Sequence, residues 1–205
     1  MSALEDLKQA VITGDRSVAK ASAQQALTDG VDTGSVVKTI AAAMEIVGER
    51  FRANEFFVPE LLIAQRAMKE ALSVLGAEEI DHIGTCVIGT VKGDLHDIGK
   101  NLVAAMLEGA GFKVVDLGVD VSPAQFVAAA RGNSADLVAM SALLTTTMGA
   151  MKETVTALNG DQQGRVKVVI GGAPVTQRYA DEIGADGYSP DAAAAVELAK
   201  TLLGV

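Results

Sequence analysis

The sequence predicts two structural halves of different class: an all-helical N-terminal unit, and a C-terminal unit in which strands and helices alternate. Three observations carry this. Up to about residue 76, apolar residues recur every three or four positions, the period of a helix with one buried face. Beyond residue 82, short apolar runs and helical patterns alternate five times, which specifies a parallel sheet with helices on both faces. Between them lies the polar stretch GAEEID, so the expected boundaries are 1–76, a linker at 77–81, and 82–205.

In the first half, Leu4, Leu7 and Val11 keep helical spacing and Gly14 ends the pattern. Asp15 is placed to cap a second helix that runs through Leu27. A third is expected from Thr33 to Arg52, with Val36, Ile40, Met44, Val47 and Phe51 on one stripe. Pro59 suits the first turn of a fourth, which continues through Leu62, Ile63, Met68 and Leu72 to Leu75, where Gly76 stops it. Four helices with short connections predict an antiparallel four-helix bundle.

In the second half, strands are expected at 82–91 (HIGTCVIGTV), 112–118 (FKVVDLG), 136–142 (DLVAMSA), 166–172 (VKVVIGG) and 185–189 (ADGYS). Helices are expected at 97–111, 122–131, 147–158, up to Ile183, and 190–203. The resulting class is α + α/β, a helical bundle followed by a flavodoxin-like (Rossmann-like) doubly wound five-stranded parallel sheet. No internal repeat or low-complexity tract interrupts it.

Composition narrows the function classes. Of the 205 residues 49% are hydrophobic, enough for a real core, and only 3% are aromatic, so that core is built from Ala, Val, Leu and Gly. Lys and Arg number 17 against 26 Asp and Glu, a formal charge of −9, with no basic cluster. That sets aside nucleic acid and anionic membrane as partners. The single cysteine, Cys86, excludes an intrachain disulfide and fits a reducing cytoplasm. The N-terminus lacks a basic segment followed by an apolar one, so no secretory signal is expected. Runs such as LVAMSALL are too short to cross a bilayer.

An open doubly wound sheet binds ligands beyond the carboxyl ends of its strands, where the strand order reverses. In the flavodoxin-like order that point lies between strands 1 and 3, so the loops after strands 1, 3 and 4 should carry function. The first holds Gly93-Asp94-Leu95-His96-Asp97-Ile98-Gly99. In an extended segment Asp94 and His96 project to one side. Asp94 can therefore hold one ring nitrogen of His96 and leave the other facing outward, as is usual behind a metal-bound histidine. On these residues alone, helix capping by Asp94 or Asp97 beside a solvated His96 is the favoured reading. Gly99 removes a side chain near the helix start. The second loop offers Ser141 and then Thr145, Thr146 and Thr147, readable also as a strand end with a threonine cap. The third has Gly171-Gly172, which admits a close backbone approach or simply a tight turn. Among the remaining polar residues, His82, Lys92 and Lys100 are expected at the surface, and Cys86 as a small buried hydrophobe.

These residues carry a resemblance. Asp94-x-His96-x-x-Gly99, Ser141-x-Leu143 and Gly171-Gly172 look like the three-part signature of cobalamin-binding domains, in order and in spacing. MEIVGERFRANEFFVPELLIAQRAMKEAL, residues 44–72, resembles the capping bundle of methyl-transferring corrinoid proteins. Nearly the whole chain is similar to the free-standing corrinoid proteins that serve methylamine, methanol or methoxyaromatic methyltransferases, and to the cobalamin-binding module of methionine synthase. The resemblance implies that His96 ligates cobalt in place of the cofactor's own base and that Asp94 tunes it. It implies that Thr147 extends the relay where the methionine synthase module has Ser. Asp97, Ile98 and Gly99 would flank the ligand. Ser141, Leu143, Thr145, Gly171, Gly172 and, more weakly, Tyr188 would line the channel for the nucleotide tail. Met44, Phe57 and Leu61 would cover the other face of the corrin, unless they are plain bundle core.

By the same resemblance the cobalt would alternate between a methylated and a nucleophilic state. A substrate methyltransferase, an acceptor methyltransferase using tetrahydrofolate or a thiol, and a reductive activase would be partners, with the linker as a hinge for the cap. An adenosylcobalamin mutase subunit would share the second half without needing the bundle. A cobalamin sensor would add a DNA-binding unit, for which no room is expected before residue 4 or after 203. A receiver-like domain would need an acidic cluster and a Lys at the strand ends, where this sequence has His96.

Overall fold

The protein is described from a computed structural model covering residues 2–75, 82–160 and 166–205. Compact units divide it into Met1–His82 with Gly109–Gly111, and Ile83–Glu108 with Phe112–Val205. The expected linker, and Gly76 as a helix stop, lie outside the described residues.

The first unit has four helices: α1 (Ala3–Thr13), α2 (Arg16–Thr28), α3 (Thr33–Arg52) and α4 (Val58–Leu72). Each start has a chemical cause. Ser2, Asp15 and Asp32 accept N–H groups of the first turns of α1, α2 and α3. At α4, Pro59 stands in the first turn and the Glu60 carboxylate accepts the Phe57 N–H at 3.0 Å. Gly14 closes α1 with φ of 79°, as its position after the last apolar residue predicts. Helix α1 packs on α2, α3 and α4, and α4 packs on α2 and α3. The stripes read from the sequence are buried: Leu7 and Val11 from α1, Val36, Ile40, Met44 and Val47 from α3, Leu61 and Met68 from α4. One boundary differs. Helix α4 ends at Leu72 with Ser73 as its cap rather than running to Leu75, because Val74 and Leu75 leave the helix in tight turns.

The second unit alternates β1 (Thr85–Thr90), α5 (Ile98–Gly109), β2 (Lys113–Asp116), α6 (Pro123–Gly132), β3 (Leu137–Ser141), α7 (Met148–Asn159), β4 (Lys167–Gly171), α8 (Gln177–Ile183), β5 (Gly187–Ser189) and α9 (Ala192–Leu203). All strand pairs are parallel and the order is β2-β1-β3-β4-β5, the flavodoxin-like order with its reversal between β1 and β3. The strands are shorter than the apolar runs, since chain direction changes before apolar character does. His82 and Ile83 thus precede β1 and are exposed. Strands β1, β3 and β4 are central, and the core is built from Val87, Val138, Met140, Val168 and Ile170 with Phe126, Met151 and Val155 from the helices. Cys86 is wholly buried there, and burial pushes its thiol up to about 12, so it acts as an inert apolar group.

At the carboxyl edge, register places Thr90 opposite Ser141, Ser141 opposite Gly171, and Gly171 opposite Ser189. Beyond this row Gly172 adopts φ of 129°, and a Cβ there would lie 1.9 Å from the Ala142 carbonyl oxygen. The glycine therefore lets the β4 loop lie directly on the β3 loop. A Gly172→Ala substitution should destabilise the protein by about 2 kcal/mol or more, since both the backbone angle and the clash must be relieved. Urea unfolding of the variant beside the parent measures it.

Candidate functional site

The site is built by the turn that follows β1. At the end of this strand, the Asp94 N–H closes the turn on the Val91 carbonyl at 3.1 Å. The Asp94 side chain then points inward and is wholly buried. Its two oxygens serve two different loops. Oδ1 accepts the His96 N–H at 3.1 Å and lies 2.7 Å from His96 Nδ1. Oδ2 accepts the Leu143 N–H at 2.8 Å and the Leu144 N–H at 3.3 Å, and lies 2.8 Å from Thr147 Oγ1. One carboxylate thus ties the loop after β1 to the loop after β3.

Burial alone would raise the Asp94 pKa. The N–H of Leu143, the His96 ring, the Thr147 hydroxyl and the His96 N–H outweigh it and hold the carboxyl well below the usual range. Asp94 is therefore an anion, and an anion only accepts hydrogen bonds. His96 Nδ1 must carry the proton, so the neutral ring keeps its lone pair on Nε2. The imidazole is about half exposed, and Nε2 has no partner among the described residues. Thr147 Oγ1 also lies 2.8 Å from the Leu144 carbonyl. Its single proton is held between that oxygen and the stronger carboxylate acceptor.

The loops at this edge expose large aliphatic side chains beside polar ones such as Lys92, Asp97 and Thr145. Leu95 and Ile98 are 71% and 77% exposed, and Val119, Leu143 and Leu144 are exposed as well. All five sit on loops or helix starts that follow β1, β2 and β3. Gly99 faces open space. Exposed aliphatic side chains on neighbouring loops of one sheet edge are a common feature of ligand-binding surfaces. Among the described residues no group of three His, Cys, Asp or Glu could hold a metal ion. A metal bound at His96 would bring its other ligands with it, as the cobalt of a corrin does.

Asp94, His96, Leu143 (through its N–H) and Thr147 are joined in one network. Ser141, Gly171 and Tyr188 stand in neighbouring strands at the same edge, and Thr145 is exposed on the β3 loop. The space at Gly171 and Gly172 is narrowed by the chain itself, through the Ser189 and Ala142 carbonyls. Asp97 differs from its expected capping role. It stands just before α5, but its carboxylate accepts the Asn101 side chain at 3.1 Å rather than a main-chain N–H. Lys100 also differs from its expected exposure. The first turn of α5 carries it inward, where it is buried and paired with Asp116 at the end of β2.

In the helical unit, Leu61 is fully buried and Met44 nearly so, because the helical stripes on which they lie are consumed by packing. Phe57 is exposed. The sequence reading did not pick out Thr90, Asp120 or the main-chain donors of Leu143 and Leu144. Thr90 left a signal, being a polar residue inside the apolar run CVIGTV. A main-chain donor leaves none.

An α/β sheet of this order, with an anchored imidazole at its carboxyl edge, defines a ligand-binding doubly wound domain with its candidate site at the strand ends. Comparison with known proteins gives the family. Descriptions of a B12 binding domain match residues 84–197 and, separately, residues 3–75. The sequence is 42% identical to a corrinoid protein of Desulfitobacterium hafniense, covering all of this chain and 99% of that one. It is 42% identical to the trimethylamine corrinoid protein of Methanosarcina barkeri, covering 97% and 95%. Among solved structures it resembles a cobalamin-binding protein from Desulfitobacterium hafniense, with TM-score 0.78, 32% identity, and 97% and 98% of the two chains covered. It also resembles a chain of the methanol:cobalamin methyltransferase complex from Methanosarcina barkeri, with TM-score 0.88, 29% identity, and 98% and 80% covered. This chain belongs to the B12-binding corrinoid proteins, and its cofactor is cobalamin.

Two substitutions test the network in the cofactor-free protein. Asp94→Ala strands the Leu143, Leu144 and His96 N–H groups, leaving the Thr147 hydroxyl only the Leu144 carbonyl, and should cost about 3 kcal/mol or more. Thr147→Val removes one of several donors and should cost about 1 kcal/mol. Urea unfolding midpoints check the ranking, and equal costs would mean that Asp94 is not the common acceptor.

Proposed function

We propose that this chain is a methyl carrier that holds cobalamin with His96 Nε2 as the protein's ligand to cobalt. The observation that carries the reading is the outward Nε2 of an imidazole fixed through Nδ1 by a buried carboxylate, at the strand edge where such folds bind ligands. Bound cobalamin supplies a cobalt centre able to take up a methyl group and give it to an acceptor.

The chain's own residues hold and tune that centre. The ionised Asp94 keeps the Nδ1 proton on His96, which makes Nε2 a better donor, and Thr147 steadies Asp94 from behind. Leu95, Ile98 and Gly99 give the ring edge an apolar seat, with Asp97 beside it. Ser141, Leu143, Thr145, Gly171, Gly172 and Tyr188 border the space for the nucleotide tail. In the helical unit Phe57 is the exposed candidate for covering the cofactor. Met44 and Leu61, expected beside it, lie buried in the bundle.

The relatives named for dimethylamine and trimethylamine, and the neighbour solved as a methanol:cobalamin methyltransferase complex, support a place in a methyltransferase system. In this reading a substrate-specific methyltransferase loads the methyl group. A second methyltransferase passes it to tetrahydrofolate or a thiol, and a reductive activase restores oxidised cofactor. The reducing power this requires places the protein in the cytoplasm.

Visible spectra of the purified protein mixed with cobalamin test the ligand. The parent should retain cofactor through desalting with a spectrum marking exchange of the lower ligand. His96→Ala should lose that spectrum, and Asp94→Asn should weaken retention about 10- to 100-fold. A parent that releases the cofactor unchanged would overturn the ligation.

A further inference from the structure

His96 is held by more than its carboxylate partner. Thr90, wholly buried at the end of β1, donates its hydroxyl to the His96 carbonyl at 2.9 Å. Its own main chain is fixed in turn by Gly118 at 2.9 Å and Val121 at 3.0 Å. Asp120, on the loop between β2 and α6, grips the other end of the turn. Its Oδ1 accepts the Gly93 N–H at 2.7 Å and its N–H donates to the Asp94 carbonyl at 3.0 Å. To do so it takes φ of 55°, a left-handed conformation that aspartate, asparagine and glycine tolerate best.

Five main-chain groups of the turn are thereby used. The Gly93 N–H goes to Asp120, the Asp94 N–H to Val91, the Asp94 carbonyl to Asp120, the His96 N–H to Asp94 and the His96 carbonyl to Thr90. Asp94 and His96 both ride on this turn, so their mutual bond fixes the ring relative to the turn. The direction of Nε2 relative to the sheet depends on the Asp94 bonds to the β3 loop and, with them, on what fixes the turn itself. Neither Thr90 nor Asp120 makes a hydrogen bond to the ring.

Resting on the reading of His96 as cobalt ligand, we infer that Thr90 and Asp120 are positioning residues, which aim His96 Nε2 by clamping the two ends of the turn. Thr90 is the stronger clamp, because its bond is shielded from water while the Asp120 carboxylate is exposed.

Electron paramagnetic resonance of protein loaded with Co(II) cobalamin reads ligation directly. Nitrogen-15 labelling of the histidines separates coupling to the protein from coupling to the cofactor's own base. Thr90→Val, nearly isosteric, should shift the equilibrium between histidine-ligated and unligated cofactor about fivefold toward the unligated form, and Thr90→Ser should restore it. Asp120→Gly should shift it about twofold. Because glycine accepts the left-handed backbone, the urea midpoint should not fall. Asp120→Asn, which keeps the acceptor oxygen, should behave as the parent. A ligated fraction unchanged in both Thr90→Val and Asp120→Gly, whatever their urea midpoints, overturns the clamp and leaves His96 as ligand. Should Thr90→Val fail to fold, Asp120→Gly decides alone. A labelled parent showing no histidine coupling overturns the ligation reading, and this inference with it.

Discussion

The buried carboxylate of Asp94 is the interaction on which the site depends. An unpaired anion removed from water would be prohibitively costly, and Asp94 is stable inside only because two loops supply donors to it. The requirement runs both ways. Satisfying Asp94 fixes the start of α7 through Thr147, fixes the β3 loop through Leu143, and fixes the tautomer of His96. The group that tunes the imidazole is thus the group that sews two crossover connections together, so the geometry of the site and the integrity of the sheet's carboxyl edge are one problem.

Topology explains why this is possible only here. With the order β2-β1-β3-β4-β5, the connections leaving β1 and β3 pass to opposite faces of the sheet and open a crevice between them. Asp94 sits at that division and bridges it from below, while His96 stands above it. At the neighbouring step, between β3 and β4, the crevice is closed instead. Gly172 brings the β4 loop onto the Ala142 carbonyl, a contact no other residue type permits. Gly172 is therefore best understood as a backbone contact.

Much of the architecture was legible because it rests on local rules. The cap Asp15, the stop at Gly14 and the stripe from Val36 to Val47 are each set within a few residues, and the structure places them where spacing predicts. The Asp94–His96 pairing was legible for the same reason, being a two-residue matter. What could not be read are the relations that arise only when distant segments meet. Lys100 is charged and flanks a loop, so exposure is the natural expectation. Its burial follows from the end of β2 delivering Asp116 beside it. Thr147 has Thr where the resembled module has Ser. The structure keeps the hydroxyl 2.8 Å from Asp94, so the added methyl leaves the hydrogen bond intact.

The contrast between what lies beneath and around His96 has its own logic. Beneath the ring stand an anion and its donors, wholly enclosed. Around it stand Leu95, Ile98, Leu143 and Leu144, left in water. Exposed aliphatic surface weakens a free protein's solubility and rewards whatever covers it, by roughly 25 cal/mol for each Å² removed from water. Such a rim attracts a large apolar ligand without specifying its orientation. A single anchored nitrogen specifies orientation while contributing little area. Affinity and aim are divided between two sets of residues, and only the second needs a rigid support. That division matches a rim of exposed side chains beside a turn in which five main-chain groups are engaged.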